Sequence, residues 1–271
     1  MSRRRNVWLT AMAVLTYAFL FAPIVVLIVF SFNVSRRNFV WLGFTTDWYP
    51  RLFENADLLD ALSVTLQVAA IAVVGSTILG SLLGLALARM RYRGKGTTEV
   101  LVLLPMVTPE IVMGISLLIF FTQLFAQNGS LGQIAIAHIT FCISYVAIVV
   151  RARAANMDPR LEEAARDLGA SAWGAFRHVT LPLIAPAVGA GAMLAFALSF
   201  DDLVVTSFNA GVGSTTLPIF IYSSIKFGVT PQINAISTII VAVTAVAIFI
   251  GWRLGAFRGD EARRATAADA A

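Results

Sequence analysis

Polar and apolar positions in this chain alternate in long blocks rather than turn by turn. Apolar runs cover residues 7 to 32, 62 to 88, 100 to 125, 134 to 150, 183 to 208 and 233 to 253, each separated from the next by a polar segment. A helix needs roughly 20 such residues to cross a bilayer, so the pattern predicts six spanning helices. The first run is longer than a signal-peptide core and has no clear cleavage site, so it is read as an uncleaved helix. The segment 33 to 60 carries Phe39, Trp41, Phe44, Trp48 and Tyr49, aromatic residues suited to a membrane-water interface, with a short surface helix near Tyr49 to Asn55. In the second run Gly80 and Gly84 stand four apart, a small-residue pattern that lets another backbone approach closely. The expected organisation is residues 1–6 as an N-terminal segment, 7–255 as one all-α polytopic membrane domain, and 256–271 as a charged, alanine-rich, disordered tail.

One block interrupts this pattern. Residues 158 to 182 read DPRLEEAARDLGASAWGAFRHVTLP. Asp158 is placed to cap a helix that starts at Pro159, where the missing N–H is harmless. Leu161, Ala164, Ala165 and Leu168 then fall at i, i+3, i+4 and i+7 on one stripe, with Glu162, Glu163, Arg166 and Asp167 beside it. Gly169 ends the helix where a left-handed residue is cheapest. Ser171 is expected to cap a second short helix holding Trp173 and Phe176, with Pro182 as its stop. The residues alone allow two readings: an amphipathic helix lying on the membrane surface, or a small apolar face that docks into a groove of another protein.

Composition fits the membrane class: 58% of residues are hydrophobic and 13% charged, with a mean hydropathy of +0.81. The net charge of +5 does not point to nucleic acid, because the basic residues lie in short runs between apolar blocks. Of the 20 Lys and Arg, only Arg36, Arg37, Arg51 and Lys226 fall on the side opposite the termini, so both termini and the 158–182 loop are expected in the cytoplasm. The one cysteine, Cys142, sits in an apolar run and supports no disulfide or metal site. Gly94-Lys95-Gly96-Thr97 lacks the spacing of a phosphate loop. No catalytic set or metal site is read in the chain.

An acidic side chain at mid-bilayer costs about 3 kcal/mol, so each one needs a reason. Glu110, Asp201 and Asp202 are the three in question. They either cap helix ends and find polar partners, or line a cavity and offer negative charge to a cationic cargo. His138 is read chiefly as a hydrogen-bonded packing residue, with a proton relay as the second reading.

The spacing in the polar block carries a resemblance. Glu163-Ala164-Ala165, three residues, Gly169, nine residues, then Val179-Thr180-Leu181-Pro182 resembles the EAA loop of ABC-importer permeases, with Val179 as the single conservative departure. The chain is similar, over residues 10 to 255, to MetI-like permease subunits of binding-protein-dependent importers. It is more narrowly similar to the second permease of spermidine/putrescine importers, on FAPIVVLIVFSFN at 21 to 33, TPEIVMGISLL at 108 to 118, HITFC at 138 to 142 and LSFDDLVVTSF at 198 to 208.

The resemblance implies a type I ABC-importer permease with a cytoplasmic coupling helix, in which Leu161, Glu163, Ala164, Ala165, Leu168 and Gly169 engage a partner ATPase. Its implied partners are a second permease subunit in a heterodimer, a cytoplasmic ATPase dimer, a periplasmic substrate-binding protein and membrane lipid, in the bacterial inner membrane. The chain itself is expected to be non-catalytic and to bind no cofactor, with ATP and Mg held by the ATPase. Polyamine cargo would draw on Glu110, Asp201 and Asp202, with Phe200, Phe208, Tyr222 or the other permease supplying aromatic faces. Ferric iron, thiamine or sulfate importers share the loop, and a cation-coupled secondary transporter would use the same acids without it. A membrane protease is disfavoured by the lack of HExxH and GxSxG and by a histidine count of two.

Overall fold

The structure is a computed structural model that describes residues 2–35, 40–125, 129–226, 228 and 230–253. The expected tail 256–271, as well as Arg36 and Arg37, lies outside the described residues. Two compact units emerge: the described residues of Met1–Ala56 with Ser223–Ala271, and Asp57–Tyr222.

In the first unit α1 (Ser2–Phe30) and α2 (Trp48–Leu52) both pack against α12 (Pro231–Arg253). Asn33 organises the turn between α1 and α2. Its side chain donates to Val40 O at 2.8 Å and accepts from Leu42 N at 3.0 Å, while its own carbonyl accepts from Trp48 Nε1 at 2.7 Å. The short helix stands near the place expected, and Phe39 of the same segment lies outside the described residues.

The second unit runs α3 (Ala56–Arg89), α4 (Lys95–Val107), α5 (Glu110–Phe125), α6 (Leu131–Ala155), α7 (Arg160–Asp167), α8 (Ala172–Ala175), α9 (Leu181–Phe200), α10 (Val204–Asn209) and α11 (Leu217–Ile225), which continues past its boundary. The core lies between α6, α9 and α10 and includes Phe141, Cys142, Val146, Ile184, Ala195 and Val205. Cys142 is buried here as a packing residue. The paired glycines of α3 meet α6. A Cβ on Gly80 would stand 2.7 Å from Val146 Cβ, and one on Gly84 would stand 2.4 Å from the Ala147 carbonyl oxygen. Both are closer than packed atoms tolerate, so glycine is required for the two helices to touch.

Three expectations need correction. The third run, 100 to 125, is not one helix: α4 and α5 meet at a 110° bend. Pro109 disfavours helix at the residue before it, and Thr108 is extended at φ −69°, ψ 129°. The fifth run, 183 to 208, breaks after Phe200, and a new helix begins at Val204. Pro182 stops nothing. The helix runs on from Ala172 to Phe200 through a π turn at Phe176–Thr180, where Leu181 N donates to Phe176 O. A widened turn just before a proline lets a helix absorb its ring. Among the described residues, four helices are long and apolar enough to cross a membrane, or five with the bent pair taken as one span. In α12 the apolar stretch counted among the described residues is Pro231–Val246, within a helix of 23 residues.

Candidate functional site

Two places carry the chemistry expected from the sequence. The first is the polar block. Asp158 Oδ1 accepts from Arg160 N at 2.9 Å, the N-terminal cap anticipated for α7. At the other end Gly169 N donates to Arg166 O at 2.9 Å and Ala170 N to Ala165 O at 3.0 Å, closing a Schellman motif. Gly169 itself has φ +92° and open space around it, so glycine is needed for conformation and not for room. Ser171 Oγ then accepts from Gly174 N at 3.0 Å and starts α8.

On α7 Leu161 is 46% exposed and Leu168 90%, and Glu163 and Ala164 are exposed with them. Ala165 is half-buried. Both leucines thus stand open beside charged neighbours. The expected contact set therefore lies on one short, rigidly capped helix. Its neighbour Glu162 had no role in that set, yet it turns inward. Its Oε1 accepts from Thr180 Oγ1 at 2.7 Å and lies 3.9 Å from Arg89 Nη2. Nothing local in the sequence pairs these three residues, because their contact depends on how α3, α7 and the π turn converge.

The second place is a cavity of about 480 Å³ that brings Glu110, Asp201 and Asp202 together. The two helix breaks corrected above both fall on it: Thr108 and Pro109 line it from one side, Asp201 to Leu203 from the other. α4 and α9 end there, so their last carbonyls and the negative ends of their dipoles lie at the cavity. The N-termini of α5 and α10 are covered in turn by Glu110, in the first turn of α5, and by Asp202.

The three acids are not equivalent. Asp202 accepts from Thr206 N at 2.7 Å, Thr206 Oγ1 at 2.6 Å and Val205 N at 3.3 Å, and lies 3.3 Å from His138 Nε2, with its side chain 6% exposed. His138 is 1% exposed, with Nδ1 2.8 Å from Ser199 Oγ and Nε2 2.9 Å from Thr206 Oγ1. Since the Thr206 hydroxyl gives its proton to Asp202, it accepts from Nε2–H, which fixes the proton on that nitrogen. His138 is thus the hydrogen-bonded packing residue expected, and Asp202 is occupied in holding the start of α10. Among the described residues, the side chains of Glu110 and Asp201 form no ion pair and both are exposed to the cavity, Asp201 having only its own backbone N–H beside its carboxylate. The lining holds no Lys or Arg among the described residues.

The aromatic faces differ from the candidates. Phe208 is spent against Gly114, where a Cβ would stand 2.7 Å from its ring, and neither Phe200 nor Tyr222 lines the cavity. Phe141 and Tyr145 do, one turn apart on α6. Their i, i+4 spacing was the signal available, but α6 carries apolar residues all round and the face could not be chosen.

Residues 76–255 match the model of the family described as "Binding-protein-dependent transport system inner membrane component". The chain belongs to this family. It is 40% identical over 257 residues to the putrescine transport system permease protein PotI of Escherichia coli strain K12, covering 92% of this chain and 91% of that one. It is 44% identical over 232 residues to the spermidine/putrescine transport system permease protein PotC of the same strain, covering 86% and 88%. Among solved structures, a bacterial ABC transporter involved in the import of the acidic polysaccharide alginate aligns with TM-score 0.68 at 17% identity, covering 94% of this chain and 97% of that one. At that identity the likeness shows the fold alone. As a member of the family the chain is a multi-pass inner-membrane permease subunit of an ABC importer.

Proposed function

We propose that this chain forms, with a second permease subunit, the path by which an ABC importer takes up polyamines such as putrescine and spermidine. The carrying observation is the cavity in which Glu110 and Asp201 present carboxylates that no basic residue neutralises among the described residues. An alkyl chain ending in ammonium groups fits this chemistry: carboxylates and helix C-termini for the charges, Phe141 and Tyr145 for cation–π contact, and Met113, Val205 and Leu198 for the methylenes. The names of the curated relatives support the same cargo class.

In this reading Leu161, Glu163, Ala164, Ala165, Leu168 and Gly169 seat α7 in a groove of an ATPase dimer. That dimer holds ATP and Mg, and this chain carries no catalytic step. A periplasmic binding protein delivers cargo to the opposite face, and both termini lie in the cytoplasm. Alanines at 164 and 165 suit a helix that must approach a groove closely.

The test is uptake of labelled putrescine and spermidine by cells with and without this chain, with ferric iron, thiamine and sulfate uptake measured in parallel. Loss of polyamine uptake alone is the expected result. Intact polyamine uptake with loss of another cargo would overturn the assignment.

A further inference from the structure

Three arginines lie toward the ends of α3 and α6, and two of them hold an acceptor. Arg151 reaches Glu99 at 2.7 Å, and Arg153 Nε donates to Leu183 O at 3.0 Å. Arg89, the last residue of α3, is different. Its Nη2 stands 3.9 Å from Glu162 Oε1, too far for a hydrogen bond, and both Nε and Nη2 are buried with no hydrogen-bond partner. A hollow of about 350 Å³ adjoins the pair, lined by Ala86, Arg89, Glu162, Ala175, Phe176 and Thr180 among others. Two guanidinium nitrogens buried without acceptors are unfavourable even on a side chain 21% exposed, and a shift of about 1 Å would bring this pair to charge-assisted hydrogen-bond distance. The hollow leaves space for that shift.

We propose that Arg89, Glu162 and Thr180 form a latch that passes movement of α7 to the end of α3 and to the π turn leading into α9. Thr180 keeps Glu162 attached to the π turn throughout, while the Arg89 contact is half made here and closes when α7 moves toward α3. Glu162 is a positioning residue that touches neither cargo nor nucleotide. A contact with two discrete arrangements is what a rigid helix needs in order to switch rather than drift. The inference rests on the reading above that an ATPase drives α7.

The test uses the assembled importer in proteoliposomes, with Glu162→Gln, Arg89→Gln and the exchanged pair Arg89→Glu with Glu162→Arg. Each single variant is expected to retain ATP hydrolysis and lose roughly fivefold or more of the uptake per ATP, and the exchange to recover most of it. Hydrolysis and uptake falling in equal proportion, or an exchange no better than the singles, would overturn the latch. Should the single variants not assemble, Thr180→Val carries the test, and an unchanged ratio of uptake to hydrolysis overturns it.

A cargo-free readout separates this from the polyamine assignment. Within this chain the one native thiol, Cys142, is buried, so in an importer whose other subunits are cysteine-free, maleimide labelling of Met90→Cys, at an exposed position next to Arg89, reports on the end of α3 alone. ATP is expected to change that labelling in the parent and not in Glu162→Gln. The same response in both, or none in the parent, overturns the latch. A parent that responds to ATP but takes up no polyamine would discard the cargo and leave the latch standing.

Discussion

At α7 Leu161 and Leu168 face outward and one acid, Glu162, faces in, whereas at the cavity Phe141 and Val205 are buried and two carboxylates are left open. Both places are unfinished, in opposite senses. On the proposed reading, the exposed leucines are completed by apolar surface of the ATPase and the open carboxylates by the charge of a cationic cargo. The burial of each group indicates the kind of partner it suits.

This contrast breaks most readily at the cavity. Replacing both open acids, Glu110→Gln with Asp201→Asn, is expected to lower polyamine uptake about a hundredfold, since each charge-assisted contact contributes roughly 1.5–3 kcal/mol. Complex assembly, measured by co-purification, should survive, and unchanged uptake would mean the cavity is not the path. The neighbouring acid should behave differently. Asp202→Ala leaves the Thr206 N–H and hydroxyl short of an acceptor, so a loss of about 2 kcal/mol of stability is expected, visible as a lower melting temperature of the purified protein. A variant as stable as the parent but inactive would place Asp202 with the open acids instead.

At α7 the effects should depend on the partner. Leu168→Glu is expected to cut ATP-driven uptake about tenfold, the size of a contact worth roughly 1.4 kcal/mol, with no change in the melting temperature of the chain alone. A fall in that temperature would make Leu168 a packing residue. The smallest effect belongs to Gly169→Ala, where a Cβ at φ +92° should cost about 1 kcal/mol or slightly more in the isolated chain. Equal stability would show that the turn relaxes to another conformation.

What could be read from the sequence was local. The cap at Asp158, the turn at Gly169 and the cap at Ser171 each depend on a few adjacent residues, and all three stand where the residue types placed them. Glu110, Asp201 and Asp202 could be named as anomalies in apolar runs, and the fold gathers them at one cavity. Their division of labour was hidden: Asp201 and Asp202 are neighbours in the chain, and what separates them is His138 and Ser199, brought in from α6 and α9. Pro182 misled for a related reason. A proline is a helix stop only when the turn before it has regular geometry, and the π turn at Phe176–Thr180 removes that condition. The bend at Pro109 was open to inference from the rule for residues preceding proline, but a continuous apolar run hid it.

The two helix breaks that face each other across the cavity bear on how a cargo is solvated. Both fall within apolar runs of the sequence, and a bilayer tolerates irregular backbone only where protein covers it or water reaches it. In the proposed cargo path, such water would fill the cavity before cargo arrives, and an entering ammonium chain would exchange it stepwise for carbonyl and carboxylate oxygens, dividing the barrier to crossing into many small ones.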